Sequence, residues 1–216
     1  MTITVAAIAA ATALTLTPAA PAPTVEAWES MRRVQSPSSV WTLATRSGYW
    51  LYGDSITVGN GVALARTIYA RTGRQTAIDA NSGIPTRPAV DRLAERVAQR
   101  GAPRVLIMAT GANDAVDTGR AAGMSAQVAR VRRIVGPTTR IVWVTTLVAR
   151  PRYAATDAAG THRVNAAIHA DRTLNGVVAW DVALRRAGVM ANTRDGVHPA
   201  GKGVNLWVGT VAKAAS

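Results

Sequence analysis

The chain has 216 residues, no cysteine and a formal net charge of +13, and 48% of its residues are hydrophobic while 17% are charged. This length and composition suit one packed domain and exclude a mainly disordered chain. The lack of cysteine excludes a disulfide framework, a thiolate metal site and a thiol nucleophile.

The positive charge is carried almost entirely by arginine, because Lys202 and Lys213 are the only lysines. Two interpretations stay open: attraction to an anionic surface, or the arginine and alanine usage of a GC-rich genome. No basic run is interleaved with aromatic residues, as binding of single-stranded nucleic acid would require, so no nucleic-acid partner is expected.

The first 25 residues carry no charged side chain and form an apolar Ala/Thr stretch followed by small residues and prolines. This pattern predicts a signal peptide over residues 1–23, with candidate cleavage sites near Ala19, Ala20 and Ala22. It predicts a secreted or cell-envelope protein. A basic residue near the start is missing, which leaves a misplaced start codon or a weak membrane anchor as alternatives.

Residues 24–47 contain Trp28, Trp41 and three arginines without a clear period, and they are interpreted as a lead-in that packs on the main domain, 48–216. In that domain short apolar runs alternate with amphipathic segments. The predicted strands are 49–52, 76–80, 105–110, 141–146 and 177–180, and the predicted helices are 57–71, 87–100, 121–135, 161–172 and 201–214.

Short buried strands that alternate with helices form right-handed crossovers and a parallel sheet covered on both faces. The sequence therefore predicts an α/β fold, doubly wound and flavodoxin-like, with a five-stranded parallel sheet. Ligands bind beyond the carboxyl ends of such strands, so the chemistry is expected in the residues that follow each strand.

Three polar motifs follow the first three predicted strands: GDSIT at 53–57, NSGIP at 81–85 and GAND at 111–114. Ser55 would lie at a strand-to-helix turn, where helix N–H groups can stabilise an oxyanion. Gly83 and Asn113 could supply further N–H donors at the same edge. Taken singly, the Ser55 motif is better explained as a helix N-cap and the Gly83 motif as an ordinary turn, and Asn113 has a loop residue that caps the next helix as its alternative.

A fourth motif, DGVHP at 195–199, precedes the last predicted helix. Asp195 stands three residues before His198, so its carboxylate can accept a hydrogen bond from Nδ1 of the imidazole and leave Nε2 free to take a proton from a serine. A polar turn before the helix is the alternative for this motif alone.

Together the four motifs, in this order, resemble the Ser, Gly, Asn and His blocks of the SGNH (GDSL-like) hydrolases, over roughly three-quarters of the chain. The resemblance implies that Ser55 is the nucleophile, His198 the general base and Asp195 the residue that orients it. It further implies that the oxyanion hole consists of the backbone N–H groups of Ser55 and Gly83 and the side chain of Asn113. By the same resemblance Asp54 and Asp114 are structural.

One position departs from the family pattern, because Pro85 and Thr86 occupy the region where members often carry a second glycine. The other histidines, His162 and His169, lie seven apart on a predicted helix without a carboxylate trio, so no metal site is expected. No G-x-S-x-G turn occurs, which argues against the larger α/β-hydrolase type.

The function that the resemblance implies is a serine esterase, without metal or organic cofactor, acting on an acetylated carbohydrate or a lipid ester. An O-acyltransferase of the same fold and a non-catalytic basic module that binds the cell envelope are the alternatives. A flavodoxin-like nucleotide binder is disfavoured, since GDSIT stands where a glycine-rich phosphate loop would be needed.

Overall fold

The computed structural model describes residues 26–215, which form a six-stranded sheet with helices packed on it. The strands are Arg33–Gln35 (β1), Tyr49–Gly53 (β2), Thr76–Asn81 (β3), Val105–Ala109 (β4), Arg140–Val144 (β5) and Gly176–Val178 (β6). The helices are Ser38–Ser47 (α1), Ser55–Thr72 (α2), Thr86–Arg100 (α3), Ala112–Ala115 (α4), Thr118–Ala122 (α5), Met124–Val135 (α6), Ala154–Ala170 (α7), Trp180–Ala187 (α8), Val189–Asn192 (α9) and Lys202–Ala215 (α10).

The strand order is β1-β3-β2-β4-β5-β6, and all strands except β1 are parallel. Without β1 this is the flavodoxin-like order, in which the second strand along the chain lies on one side of the first and the third on the other. The predicted α/β, doubly wound fold is thus confirmed. The reversal of strand order falls at β2, which puts Ser55 at the point where such sheets bind ligands.

The prediction of five strands was one too few, because the lead-in contributes β1 as an antiparallel edge strand on β3. This strand has three residues, Arg33–Gln35, and only its middle residue is partly buried. A segment of three residues is too short to show in the sequence the alternation of apolar and polar residues that predicts a strand. It is held instead by Arg33, whose guanidinium makes two hydrogen bonds to Oδ1 of the buried Asp79 on β3, at 3.1 and 3.0 Å.

Several helices differ from their predicted bounds. The predicted helix 121–135 is divided at Gly123 into α5 and α6, while α7 begins seven residues earlier than predicted and ends before Arg172. The lead-in also contains α1, whose buried side chains include Trp41 and Ala44. Five of the ten residues of α1 are serine or threonine, which are weak helix formers, so the segment is hard to recognise as a helix in the sequence.

Five tryptophans lie in the core with almost no exposed surface: Trp41, Trp50, Trp143, Trp180 and Trp207. The rings of Trp41 on α1 and Trp50 on β2 meet edge to face, with centroids 5.0 Å apart and planes at 86°. A T-shaped pair of this kind contributes beyond the area that it buries. The lead-in is therefore packed into the same core as the sheet.

The predicted signal peptide, residues 1–23, lies outside the residues that the structure describes. Within residues 26–215, no helix has the length and apolar character needed to cross a bilayer.

Trp41→Ala tests whether the lead-in belongs to the folding unit. Trp41 is 1% exposed and its indole N–H has no hydrogen-bond partner among the described residues, while the guanidinium of Arg96 lies 4.5 Å from its ring centroid. The variant therefore loses packing and one cation–π contact. We expect the free energy of unfolding to fall by about 3–5 kcal/mol in urea denaturation. Leu43→Ala on the same helix is the control, because Leu43 is 51% exposed and should change stability little. Equal effects of the two variants would contradict the packing seen here.

Candidate active site

The turn between β2 and α2 places Ser55 at the first position of the helix. Asp54 is the N-cap, and its Oδ1 accepts a hydrogen bond from the backbone N–H of Ile56 at 3.0 Å. Gly53 is required in this turn, because a Cβ there would collide with the side chain of Thr57. The turn thus presents the hydroxyl of Ser55 at the carboxyl edge of the sheet, beside the free N–H groups of a helix start.

The loop that carries Asp195 and His198 is a compact turn before α10. Thr193 and Pro199 pair across its base, and Gly196 adopts φ +84° where a Cβ would strike the carbonyl of Ala149. Oδ1 of Asp195 accepts from the backbone N–H groups of Val197 and His198, at 3.1 and 2.9 Å. The carboxylate is therefore fixed by its own turn before it meets the imidazole.

The structure brings Ser55, His198 and Asp195 into one chain of hydrogen bonds. Oδ2 of Asp195 lies 2.7 Å from Nδ1 of His198, and Nε2 of His198 lies 2.8 Å from Oγ of Ser55. Because an ionised carboxylate can only accept, the imidazole proton belongs on Nδ1, and Nε2 accepts from the serine hydroxyl. This arrangement can remove the serine proton as the oxygen attacks an electrophile.

Asp195 is held in its ionised form. Partial burial opposes ionisation, but the hydrogen bonds from the backbone N–H and the imidazole of His198 outweigh it and lower the pKa of Asp195 below its ordinary value. The ionised carboxylate can then stabilise the imidazolium that forms when His198 takes a proton.

The predicted oxyanion donors follow neighbouring strands at one level. Gly53 at the end of β2 pairs with Ala80 on β3 and with Ala109 on β4. Ser55, Gly83 and Asn113 therefore lie two, three and four residues beyond three aligned backbone positions. This alignment places the three residues at the same edge of the sheet.

The Gly83 loop is supported by the lead-in, a contribution that sequence reasoning missed. Gly83 has φ +76°, and a Cβ there would lie 2.8 Å from Sδ of Met31 and 3.2 Å from Cβ of Trp28. The carbonyl of Trp28 accepts from Nδ2 of Asn81 at 2.6 Å, and the backbone N–H of Ser82 donates to Arg32. In the sequence only the isolated Trp28 pointed to a role for this segment.

Asn113 lies inside α4 and does not cap a helix among the described residues, since the N-cap positions of α4 and α5 are Gly111 and Asp117. Its Nδ2 donates to the carbonyl of Ile84, 3.1 Å away, in the loop that begins at Gly83. The carboxamide carries two N–H bonds, so one ties the two loops together and the second is available to another acceptor.

Asp114 on α4 also links these two loops, through hydrogen bonds from Thr86 at the start of α3. Its Oδ2 accepts from the backbone N–H of Thr86 at 2.9 Å and from the Thr86 hydroxyl at 2.7 Å, and that hydroxyl also lies 3.0 Å from Oγ1 of Thr110. Burial raises the pKa of Asp114 against these hydrogen bonds. Pro85 and Thr86, which depart from the family pattern, thus begin α3 and hold it to α4.

His162 and His169 are exposed on α7 and take no part in the hydrogen-bonded chain of Ser55, His198 and Asp195. No cluster of three or more histidine or acidic side chains suited to a metal ion occurs within residues 26–215.

Asp54 is the most strongly perturbed acid of the site. Burial raises its pKa from 3.8 to about 6, although the N–H of Ile56 and the charge of His198 act in the opposite direction. Because the pKa of Asp54 is higher in the folded than in the unfolded state, the stability that its protonated form contributes is fully present below pH 3.8. That contribution is lost as the pH rises to about 6.

Asp54→Asn should remove this pH dependence, because asparagine is also a good N-cap and carries no charge. We expect the variant to gain stability relative to the parent as the pH rises from about 4 to 6, with no further gain above, measured by urea midpoints across pH. Asp117→Asn is the matched control, since Asp117 also caps a helix but its pKa is lowered by the N–H and charge of Arg120. The Asp117→Asn variant should lose stability relative to the parent as the pH rises through the acid range. Parallel profiles of stability against pH for the two variants would contradict the raised pKa assigned to Asp54.

Comparison with solved structures finds the same fold in proteins of low sequence identity. The catalytic domain of a peptidoglycan O-acetyltransferase from Streptococcus pneumoniae, solved as a methylsulfonyl adduct, has a TM-score of 0.59 and 19% identity over 78% of this chain and 92% of its own. A catalytic mutant of an acetylxylan esterase from Geobacillus stearothermophilus has a TM-score of 0.60 and 17% identity, over 79% and 95%. A lipolytic G-D-S-L protein from Veillonella parvula has a TM-score of 0.61 and 14% identity, over 76% and 96%.

No curated protein matches the chain in sequence. The model of the GDSL-like lipase/acylhydrolase family matches residues 51–206, a span that begins in β2 and ends in α10. This span includes all four motifs and more than half of the chain. The chain therefore belongs to the GDSL-like lipase/acylhydrolase family, as its motifs predicted, and is an ester hydrolase of that family.

Proposed function

We propose that the protein is a serine esterase that hydrolyses carboxylic esters through an acyl-enzyme on Ser55. The observation that supports this most directly is the hydrogen-bonded chain from Ser55 through His198 to Asp195, with spacings of 2.8 and 2.7 Å. A nucleophile, a base within reach of its proton and a carboxylate that orients the base are the parts that acyl transfer needs.

In the first half of the proposed reaction, Oγ of Ser55 attacks the ester carbonyl while Nε2 of His198 takes its proton. The negative charge that forms on the carbonyl oxygen is stabilised by the N–H groups of Ser55 and Gly83 and by the second N–H of Asn113. Each such donor is expected to contribute on the order of 3 kcal/mol to the transition state. His198 then returns the proton to the leaving alcohol, and the acyl group stays on Ser55.

In the second half, water attacks the acyl-enzyme, with His198 acting again as base. An alcohol in place of water would make the protein an O-acyltransferase, the activity named for the Streptococcus pneumoniae neighbour. The hydrogen-bonded chain from Ser55 to Asp195 could activate water or an alcohol as the acceptor of the acyl group. A non-catalytic module that binds the envelope is disfavoured, because it would not need an intact Ser–His–Asp chain.

For the substrate, we favour an acetylated carbohydrate over a lipid ester. An open cavity of about 470 Å³ borders the loop that carries Gly83, between β3 and α3. It is lined by Glu26, Trp28, Pro85, Arg87, Pro88, Asp91 and Arg120. Pro85 follows Ile84, whose carbonyl binds Asn113, and Trp28 lies beside Gly83. The four charged side chains can bind the hydroxyl groups of a sugar, and the indole with Pro85 and Pro88 can pack against its ring. The acetylxylan esterase neighbour acts on a substrate of this class.

We also propose that the protein acts outside the cell or at its envelope. The support is the uncharged apolar N-terminal stretch, which is followed by small residues and prolines as in a signal peptide, and the net charge of +13, which would be attracted to an anionic envelope.

Ser55→Ala and His198→Ala test the mechanism. Each removes one member of the proton-transfer chain, so we expect ester turnover to fall by several orders of magnitude, on the order of 10⁴-fold or more. The measurement is kcat for 4-nitrophenyl acetate, with circular dichroism to show that the fold is retained. His162→Ala, an exposed histidine on α7, should keep the parent rate. A folded Ser55→Ala enzyme with near-parent activity would refute the proposal.

Arg87→Gln tests the carbohydrate cavity, because Arg87 is exposed and lines the cavity without belonging to the catalytic chain. We expect the KM for an acetylated xylo-oligosaccharide to rise about tenfold, the effect of one lost charged hydrogen bond. Turnover of 4-nitrophenyl acetate, which has no sugar, should not change. Arg152→Gln, an exposed arginine elsewhere, controls for net charge. Equal losses on both substrates, or a parent enzyme that prefers long acyl chains to acetate, would reject the carbohydrate assignment while leaving the esterase mechanism intact.

A further inference from the structure

The edge of the sheet opposite the active site is strongly basic. Each connection that enters a parallel strand lies at this amino edge, and each contains or adjoins an arginine. The C-terminal end of α10 lies there too, because Arg140 at the start of β5 donates to the carbonyls of Ala214 and Ala215. Seven exposed cations result, here called the amino-edge cations: Arg46, Arg71, Arg74, Arg104, Arg133, Arg172 and Lys213.

The amino-edge cations have no acidic partners. None of them forms a salt bridge within residues 26–215. Asp171 is the one acidic residue in these connections, and its Oδ1 is occupied by the backbone N–H and hydroxyl of Thr173. Some arginines elsewhere form ion pairs, as Arg130 does with Asp91, while others, such as Arg87 and Arg163, do not within the described residues. What distinguishes this side is that none of its seven exposed cations is paired with an acid in the described part of the chain, so this concentration of positive charge is uncompensated.

Structural requirements explain only part of this concentration. Cations near helix C-termini interact favourably with the helix dipole, which accounts for positions such as Arg71 and Arg133. Arg74, Arg104 and Arg172 lie beyond the helix ends, where that effect is weak. By contrast, Arg132 on the same side has a structural task, since it binds the carbonyls of Gly136, Thr139 and Thr173.

The connections also indicate what kind of anion they suit. Residues 73–75, 101–104, 136–139 and 171–175 contain no aromatic side chain. One exposed aromatic residue, Tyr69 in the last turn of α2, lies near them, which is fewer than the successive rings that stacking of bases along a strand requires. The planar guanidinium fork binds phosphate oxygens in pairs, and several forks in a row follow a flexible chain of phosphates.

We propose that the amino edge of the sheet, through the seven amino-edge cations, binds a flexible phosphate-bearing polymer and leaves the esterase site at the opposite edge free. This binding is independent of the proposed reaction. In a protein bound in this way, the active site faces away from the polymer and stays accessible to ester substrates.

The test uses long-chain polyphosphate as the probe and the folded protein chain, with affinity measured by fluorescence anisotropy at several salt concentrations. The parent should bind with an affinity that falls steeply with salt. The triple variant Arg71→Gln/Arg74→Gln/Arg104→Gln should bind about 100-fold more weakly, since each contact contributes a factor of about five. The slope of log affinity against log salt should become shallower by roughly 2.

The control Arg32→Gln/Arg152→Gln/Arg163→Gln removes the same charge from exposed positions elsewhere and should bind nearly as the parent does. Saturating polyphosphate should leave turnover of 4-nitrophenyl acetate unchanged, which separates this proposal from the catalytic one. Equal weakening of both triple variants, or no binding by the parent, would overturn it. Tighter binding to vesicles containing phosphatidylglycerol, or to oligo(dT), at equal phosphate concentration would assign the surface to a membrane or to nucleic acid instead.

Discussion

The parallel pairing of β2 with both β3 and β4 is the constraint on which the rest of the site depends. Gly53 lies level with Ala80 on one side and Ala109 on the other. The loops that follow these three strands therefore begin at the same level of the sheet. Each carries one of the residues proposed to attack the ester or to stabilise the oxyanion: Ser55, Gly83 and Asn113. A slip of one residue in either pairing would turn the side chains of that strand to the opposite face and separate the loops.

The loops are then held together by polar contacts that would be costly to leave incomplete. Asp54 caps α2, Asp114 binds the start of α3, and Asn113 ties α4 to the carbonyl of Ile84. Burial raises the pKa of both aspartates, so their ionised forms are kept only at a cost in stability. The two buried carboxylates thus lower stability while their hydrogen bonds fix the loops around Ser55.

The lead-in has a larger part than its irregular sequence suggests. Its edge strand places Arg33 on the buried Asp79, its helix places Trp41 against Trp50, and its first turn places Trp28 beside Gly83. The same short segment thus contributes to the sheet, to the core and to the support of the loop that carries Gly83. The two edges of the sheet also differ, with the Ser–His–Asp hydrogen bonds at one and, at the other, seven exposed cations without ion pairs among the described residues.

The sequence by itself determined the fold class, the family and the residues of the Ser–His–Asp chain. Short apolar strands that alternate with helices are compatible with few topologies. The motifs GDSIT and DGVHP each form a local structure that needs no distant partner: a helix start in the first and a three-residue turn in the second. Asp195 binds the backbone of its own turn, which is why its relation to His198 could be read from spacing.

Tertiary structure alone decided the sixth strand, the contact of Trp28 and Met31 with Gly83, the bond from Asn113 to Ile84 and the gathering of arginines at one edge. All of these join residues that are distant in sequence, and their partners are selected by the packing of the whole sheet rather than by any local period. Arginines spaced along 216 residues look evenly spread in the sequence. They form one surface only because every crossover returns the chain to the same edge before the next parallel strand begins.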